Sequence, residues 1–410
     1  MVVSKTQIYT LLITACILLQ GRFFHILNAS QNLTIVLCFC IILAFLLAIT
    51  DKNASASKWS LHYILLVLLV VVLPQTAYAF VQGETIEGYI DTIRGILNIL
   101  LLVPVLKLIN RKQGIHELLD TIMALTTISL FLLLINSFFL NNFNIQLMPF
   151  EYYARPSTAR WNRLRLFLIS DFTAFVSIYS FCRYLNKSTK NIRYLVSFLI
   201  CLITEIYVEQ TRMLYMAIVA SCILIYARSL KSRKPLFYFL SAIIAVLGIL
   251  GDWFSSFFDI FSVHNETLGI STMIRLREYE YAFKIIRAHP FLGRGMVSQY
   301  LYDVTIDGFR FQYNHTDIGI IGCITYIGLI GTIVLFIVPY IRMIKTLRVC
   351  PYNERDSFEY NFLFGLCVFI GITSFTILIT DNARIFVWPF VLALNEYVRR
   401  RWLNGNIELI

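Results

Sequence analysis

Charge is scarce in this chain. Of its 410 residues only 14% are Asp, Glu, Lys or Arg, against roughly 25% in soluble globular domains. Metal-site patterns are missing too: the six histidines stand apart, and none of the nine cysteines falls in a CxxC pair, so no zinc-type ligand set is implied. Those cysteines all sit in apolar runs or on one side of them, which gives no framework for disulfides.

Apolar sequence is abundant, at 58% of residues. Runs such as Leu33–Thr50 and Leu61–Phe80 approach the roughly 20 residues needed to cross hydrocarbon. A large soluble helical protein would bury a few such segments, but here they recur along nearly the whole length. The chain reads as an all-α integral membrane protein, one polytopic domain over 1–410. The first run, Gln7–Gln20, lacks a strongly basic flank and a small-residue cleavage site, and is expected to stay as a helix rather than leave as a signal peptide.

Candidate spans lie near 7–20, 33–50, 61–80, 91–109, 117–139, 166–184, 193–209, 211–228, 236–251, 318–341, 359–380 and 383–398, about twelve helices. Alternate connections carry Lys52/Lys58, Arg111/Lys112, Lys187/Lys190/Arg193, Lys231/Arg233/Lys234 and Arg342/Lys345/Arg348, and the tail carries Arg399–Arg401. The positive-inside rule makes that set cytoplasmic and puts both termini there. The net charge of +11 then needs no nucleic acid, because anionic headgroups attract such loops. The opposite face receives the loop at 141–165, the tight turn at Glu209–Arg212 and a long segment at 252–317.

That outer face holds a second set of arginines, among them Arg155, Arg160, Arg163, Arg165, Arg212, Arg275, Arg277, Arg287, Arg294 and Arg310. Two readings stand. Long outer loops escape the orientation rule and their arginines pair locally. Alternatively, the set meets an anionic substrate, since the guanidinium fork pairs bidentately with phosphate.

Three pieces concentrate the chemistry. Glu209-Gln210-Thr211-Arg212 places charge between two apolar spans, where ionisable groups are costly and commonly functional. From Arg275, residues Tyr279, Ala282, Phe283 and Ile286 recur at helical spacing, and Pro290, Gly293 and Gly295 end the pattern. That is the signature of an amphipathic helix lying along the membrane surface. Asn314-His315-Thr316-Asp317 then precedes a Gly-rich span (Gly319, Gly322, Gly328, Gly331). His315 suits proton transfer near neutral pH, or a structural role; Asp317 suits orienting it or capping the next helix.

The pattern Arg275-x3-Tyr279-x2-Ala282-x3-Ile286-x3-Pro290, then Gly293-x-Gly295, then His315 at the next span, resembles the signature of the O-antigen ligase and polymerase superfamily. Gln210-Thr211-Arg212 is similar to that family's arginine motif at the outer end of a span. Tyr279 stands where the family commonly has Trp, and Thr316 where it has Asn or Ser. The resemblance is specific from Arg275 to Asp317 and at 210–212, and topological elsewhere.

The resemblance implies a GT-C-like membrane glycosyltransferase of the bacterial inner membrane. Its active site would face the periplasm, without metal or other cofactor, and would invert the anomeric centre. Donor and acceptor would be undecaprenyl-diphosphate-linked oligosaccharides held among membrane lipids, with a polysaccharide chain-length regulator as a partner. Arg212 and Arg275 would hold the diphosphate and His315 would receive the acceptor's proton. Arg155, Arg160, Arg163, Arg277, Tyr279 and Asp317 would contact substrate. The extra arginines at 155–165, with room for a second diphosphate, and the short termini point to a polymerase. The alternatives are a ligase that transfers the glycan to lipid A–core, and a flippase of lipid-linked glycans, which the lack of an internal inverted repeat disfavours.

Overall fold

The computed structural model describes residues 4–27, 31–51, 57–111, 114–148, 164, 166, 172–186, 191–229, 269–297, 303–306, 309–312, 315–380 and 384–403. Helices occupy every expected range except 236–251, which lies outside the described residues. Among the described residues, six helices are long and apolar enough to cross a membrane: Lys5–His25, Asn32–Thr50, Lys58–Val81, Ile86–Ile109, Gly114–Phe143 and His315–Arg348. Shorter apolar helices run over Met213–Ser229 and Phe358–Thr373. The protein is a multi-pass helical membrane protein.

Burial separates the inside of the bundle from its rim. Ile86–Ile109 has 83% of its apolar window enclosed, whereas Asn32–Thr50 and Lys58–Val81 have 28%. The rim helices turn Ile35, Phe39, Leu46, Leu65, Leu69 and Leu73 outward. Contiguous apolar surface of that extent is a liability in water and suits acyl chains. Hydroxyls inside the spans bond back to their own helix: Thr10 donates to the Thr6 carbonyl at 2.7 Å and Thr204 to the Ile200 carbonyl at 2.7 Å. Such back-bonding removes an unpaired polar group from the apolar interior.

The two ends of the bundle carry different chemistry. At one end, Glu396 accepts from Ser57 Oγ at 2.6 Å, Arg342 Nη2 at 2.6 Å and Arg400 Nε at 3.3 Å. Near it, Arg401 donates to Glu359 at 2.7 Å, and Lys107 Nζ donates to the Asp51 carbonyl at 2.6 Å. These partners come from connections expected on a single face of the membrane. At the other end of the same spans lie Gln75 and His315, with the turn at 374–376 and the helix Gly269–Ala288 packed against them.

The departure from helix among the described residues is a hairpin. β1 (Asp303–Ile306) pairs antiparallel with β2 (Phe309–Gln312), Ile306 opposite Phe309. It falls within the expected surface segment at 252–317.

Candidate functional site

The helix Gly269–Ala288 buries Glu278, Ala282 and Ile285, an i, i+4, i+7 face. This differs from the stripe read off the sequence. Ala282 is buried, Tyr279 and Ile286 are half-buried, and Phe283 is 49% exposed. The buried carboxylate of Glu278 interrupts the apolar pattern, which hides the true face from a hydrophobicity reading. Ala282 and Ile285 join Ala79, Tyr89, Val297 and Ile318 in a small apolar cluster separate from the main core. The cluster seats the helix against the start of the His315 span.

The turn at the end of this helix, Pro290–Gly295, is inserted into that span. Gly328, at φ 75° and ψ 174°, breaks the helix Gly319–Thr332. In a continuous helix the carbonyls of Thr325 and Tyr326 would accept from the amides four residues on. Here they accept instead from Arg294 N at 2.7 Å and Gly295 N at 3.1 Å, while Leu329 N donates to the Pro290 carbonyl at 2.9 Å. The turn thus plugs the break. Gly293, at φ 66°, sits so close that a Cβ there would press on Gly328 N and on the Thr325 carbonyl. Gln75 locks the joint from a third element. Its amide nitrogen donates to the carbonyls of Leu292 (2.8 Å) and Ile327 (3.2 Å), and its oxygen accepts from Met296 N (3.2 Å).

His315 opens the same span. It is 5% exposed, and its Nδ1 is buried without a hydrogen-bond partner among the described residues. Its ring lies flat on Tyr326, centroids 4.2 Å apart and planes 9° from parallel. The helix after it begins with Ile318 at the N-cap and no side-chain cap, so Asp317, half-buried, does not cap it. The first amides go elsewhere: Gly319 N donates to the Thr376 carbonyl at 3.0 Å and Ile320 N to the Ser374 carbonyl at 2.8 Å. Tyr279 reaches the same turn, its hydroxyl donating to the Phe375 carbonyl at 3.2 Å. The 374–376 turn is therefore a shared clamp between the Gly269–Ala288 helix and the histidine.

His315, Thr316, Gly319, Tyr326, Leu378 and Thr380 border a cleft of about 390 Å³. A second cavity of about 530 Å³ lies behind it, bordered by Thr173, Glu205, Glu209, Ile377, Ile379 and Arg384. Residues 377–380 form the wall between them: Ile377 and Ile379 face one cavity, Leu378 and Thr380 the other. Glu205 and Glu209 are buried at the end of a widened helical turn. Gln210 then takes a left-handed conformation (φ 55°), its amide donating to the Glu205 carbonyl at 2.8 Å. This reversal gives the tight turn expected at 209–212 and starts the next helix at Arg212.

Of the arginines expected to act, Arg275 is half-buried and makes no ion pair or hydrogen bond among the described residues. Arg277, also half-buried, lies about 200° around the helix from it, so the two point to different places. For Arg212 the backbone alone is described, and Arg155, Arg160, Arg163 and Arg165 lie outside the described residues. Arg294 is held against Tyr281, its guanidinium donating to the phenol oxygen. Burial raises the Tyr279 phenol above its ordinary value, with Arg275 opposing, so the hydroxyl keeps its proton and its bond to the clamp. Sequence reading passed over Gln75, Tyr326 and Arg384. Gln75 and Arg384 did carry a signal, as polar residues in or beside apolar runs; Tyr326 looks like ordinary core.

Residues 197–337 match the family model described as O-antigen ligase. The matched stretch takes in Arg212, Arg275, the Pro290–Gly295 turn, His315 and the Gly328 break. No curated protein matches the chain. Over that segment, the chain is similar to the O-antigen ligase family.

Proposed function

We propose that the protein is a glycosyltransferase of the bacterial inner membrane that polymerises undecaprenyl-diphosphate-linked O-antigen repeat units at the periplasmic face. The family supports glycosyl transfer and lipid-linked glycan substrates in general terms. The observation that carries the finer reading is the placement of His315. It borders a cleft at the end of a span, and the helix bearing Arg275 is packed against it.

In this reading the acceptor hydroxyl attacks the anomeric carbon of the donor sugar. The bond between that carbon and the phosphate oxygen breaks, and the electron pair leaves with the lipid diphosphate. His315 takes the hydroxyl proton through a ring nitrogen. Arg275, with no ion pair or hydrogen bond among the described residues, and Arg212 stabilise the charge that grows on the leaving group. One displacement inverts the anomeric centre. The step needs no metal ligand set, because arginines serve a leaving group that is already activated. Arg155, Arg160, Arg163 and Arg277 would hold the acceptor's diphosphate, and Asp317 its sugar. A chain-length regulator would act beside the enzyme. About twelve spans, with both termini cytoplasmic, set this geometry; 252–317 and 141–165 are its outer loops.

The family's own description favours a second reading, a ligase that moves the finished glycan to lipid A–core. A deletion strain complemented with variants separates the two on a lipopolysaccharide gel. Loss of a polymerase leaves core bearing one repeat; loss of a ligase leaves bare core and accumulated lipid-linked polymer. His315→Ala is expected to reproduce the deletion, with about a 10²–10⁴-fold loss of transfer. Arg275→Ala should cost about 10²–10³-fold. Normal glycan from a well-expressed His315→Ala protein would refute the catalytic assignment.

A further inference from the structure

We infer that Tyr326 is a positioning residue for His315, and that the Pro290–Gly295 turn acts on the histidine through it. The inference rests on the assignment of His315 as the proton acceptor. An imidazole that moves a proton is usually held by a hydrogen bond to its second nitrogen, which fixes both ring plane and tautomer. His315 lacks that support among the described residues, since Nδ1 is buried and unpartnered. Among the described residues, the contact that bears on the plane of the ring is a flat one with Tyr326.

Tyr326 meets that need. The two rings are nearly coplanar at 9° with centroids 4.2 Å apart, so rotation of the imidazole about its own bond would drive an edge into the phenol face. Tyr326 is 7% exposed and borders the same cleft as His315. Its own position is fixed from the backbone, where its carbonyl accepts from Gly295 N at 3.1 Å across the Gly328 break. Gly322, one turn before Tyr326, leaves space for the His315 carbonyl that any Cβ would fill. A chain of contacts therefore runs from the turn that ends the Arg275 helix, through the Tyr326 backbone and ring, to the imidazole. It fixes the histidine relative to the helix that carries the arginine.

The stacking role needs the ring and not the hydroxyl. The test uses the full-length protein reconstituted with lipid-linked repeat units, and compares Tyr326→Phe, Tyr326→Leu and His315→Ala. Tyr326→Phe should keep kcat within a few-fold of the parent. Tyr326→Leu, which fills the site without a flat face, should lower kcat by about 10²-fold, as for a displaced catalytic group, with KM for the donor little changed. Thermal unfolding in detergent confirms that each variant is folded. If Tyr326→Leu is folded and fully active while His315→Ala is dead, the positioning role is wrong and the catalytic assignment stands. If His315→Ala is active, both fall. If Tyr326→Phe loses as much as Tyr326→Leu, the hydroxyl and not the stack is what matters, and the inference is overturned.

Discussion

Tyr279 ties its helix to the turn at 374–376. The superfamily commonly places Trp at this position, and both side chains pair a large apolar ring with a polar donor at its tip. Here the donor is used: the hydroxyl reaches the Phe375 carbonyl at 3.2 Å. Tyr279→Phe should leave that exposed carbonyl to water and cost at most about 1 kcal/mol, whereas Tyr279→Trp should retain activity. The bond also carries a pH signature. Burial raises the phenol's folded value above the unfolded one of about 10. Its contribution is therefore complete below about pH 10 and is lost as pH rises through the higher folded value. Unfolding midpoints of the parent and Tyr279→Phe should differ by a constant amount from pH 7 to 9 and converge in stronger base. A difference that already shrinks between pH 6 and 8 would rule out the phenol as its source.

Elements were legible in the sequence where one period dominates. The apolar runs announced the spans because a helix in lipid must be apolar all round. The hairpin at 303–312 had a signal that was not used: Asp-Gly stands between Ile306 and Phe309, a strong short-range hairpin cue. The glycines at 293, 295 and 328 announced a turn and close packing, but not that one turn would fill a break in another helix. That relation depends on backbone groups far apart in sequence, which no local pattern encodes. Gln75 belongs to the same joint. Replacing it by Leu removes partners from the Leu292 and Ile327 carbonyls and the Met296 amide, at roughly 1–3 kcal/mol for each group left unpaired. Gln75→Leu should lower the unfolding midpoint in detergent and loosen the Arg275 helix, seen as faster amide exchange over 269–288. Unchanged exchange there would mean that the apolar cluster alone seats the helix.

Across the whole molecule the charge pattern and the packing agree. Ser57, Arg342 and the Glu396–Arg400 pair of the last helix come from three separate parts of the chain and meet at one end of the bundle, while Gln75 and His315 lie at the far ends of the Lys58–Val81 and His315–Arg348 spans. Sequence alone placed the loops of Arg342 and Arg400 on the face opposite His315, because lysine and arginine in short loops resist translocation. It left open which arginines of the outer set are engaged, since pairing such as that of Arg294 with Tyr281 arises only on folding. The orientation itself is open to a direct test. The native thiols are all buried or half-buried, so a membrane-impermeant thiol reagent meets little background. Gln82 is exposed at the His315 end, and Tyr352 is 88% exposed at the opposite end. With a periplasmic active site, spheroplasts carrying Gln82→Cys should be labelled from outside, and those carrying Tyr352→Cys only after permeabilisation. The reverse pattern would put His315 in the cytoplasm. A donor presented at the outer leaflet could not then reach it, and the polymerase and ligase readings would fail together.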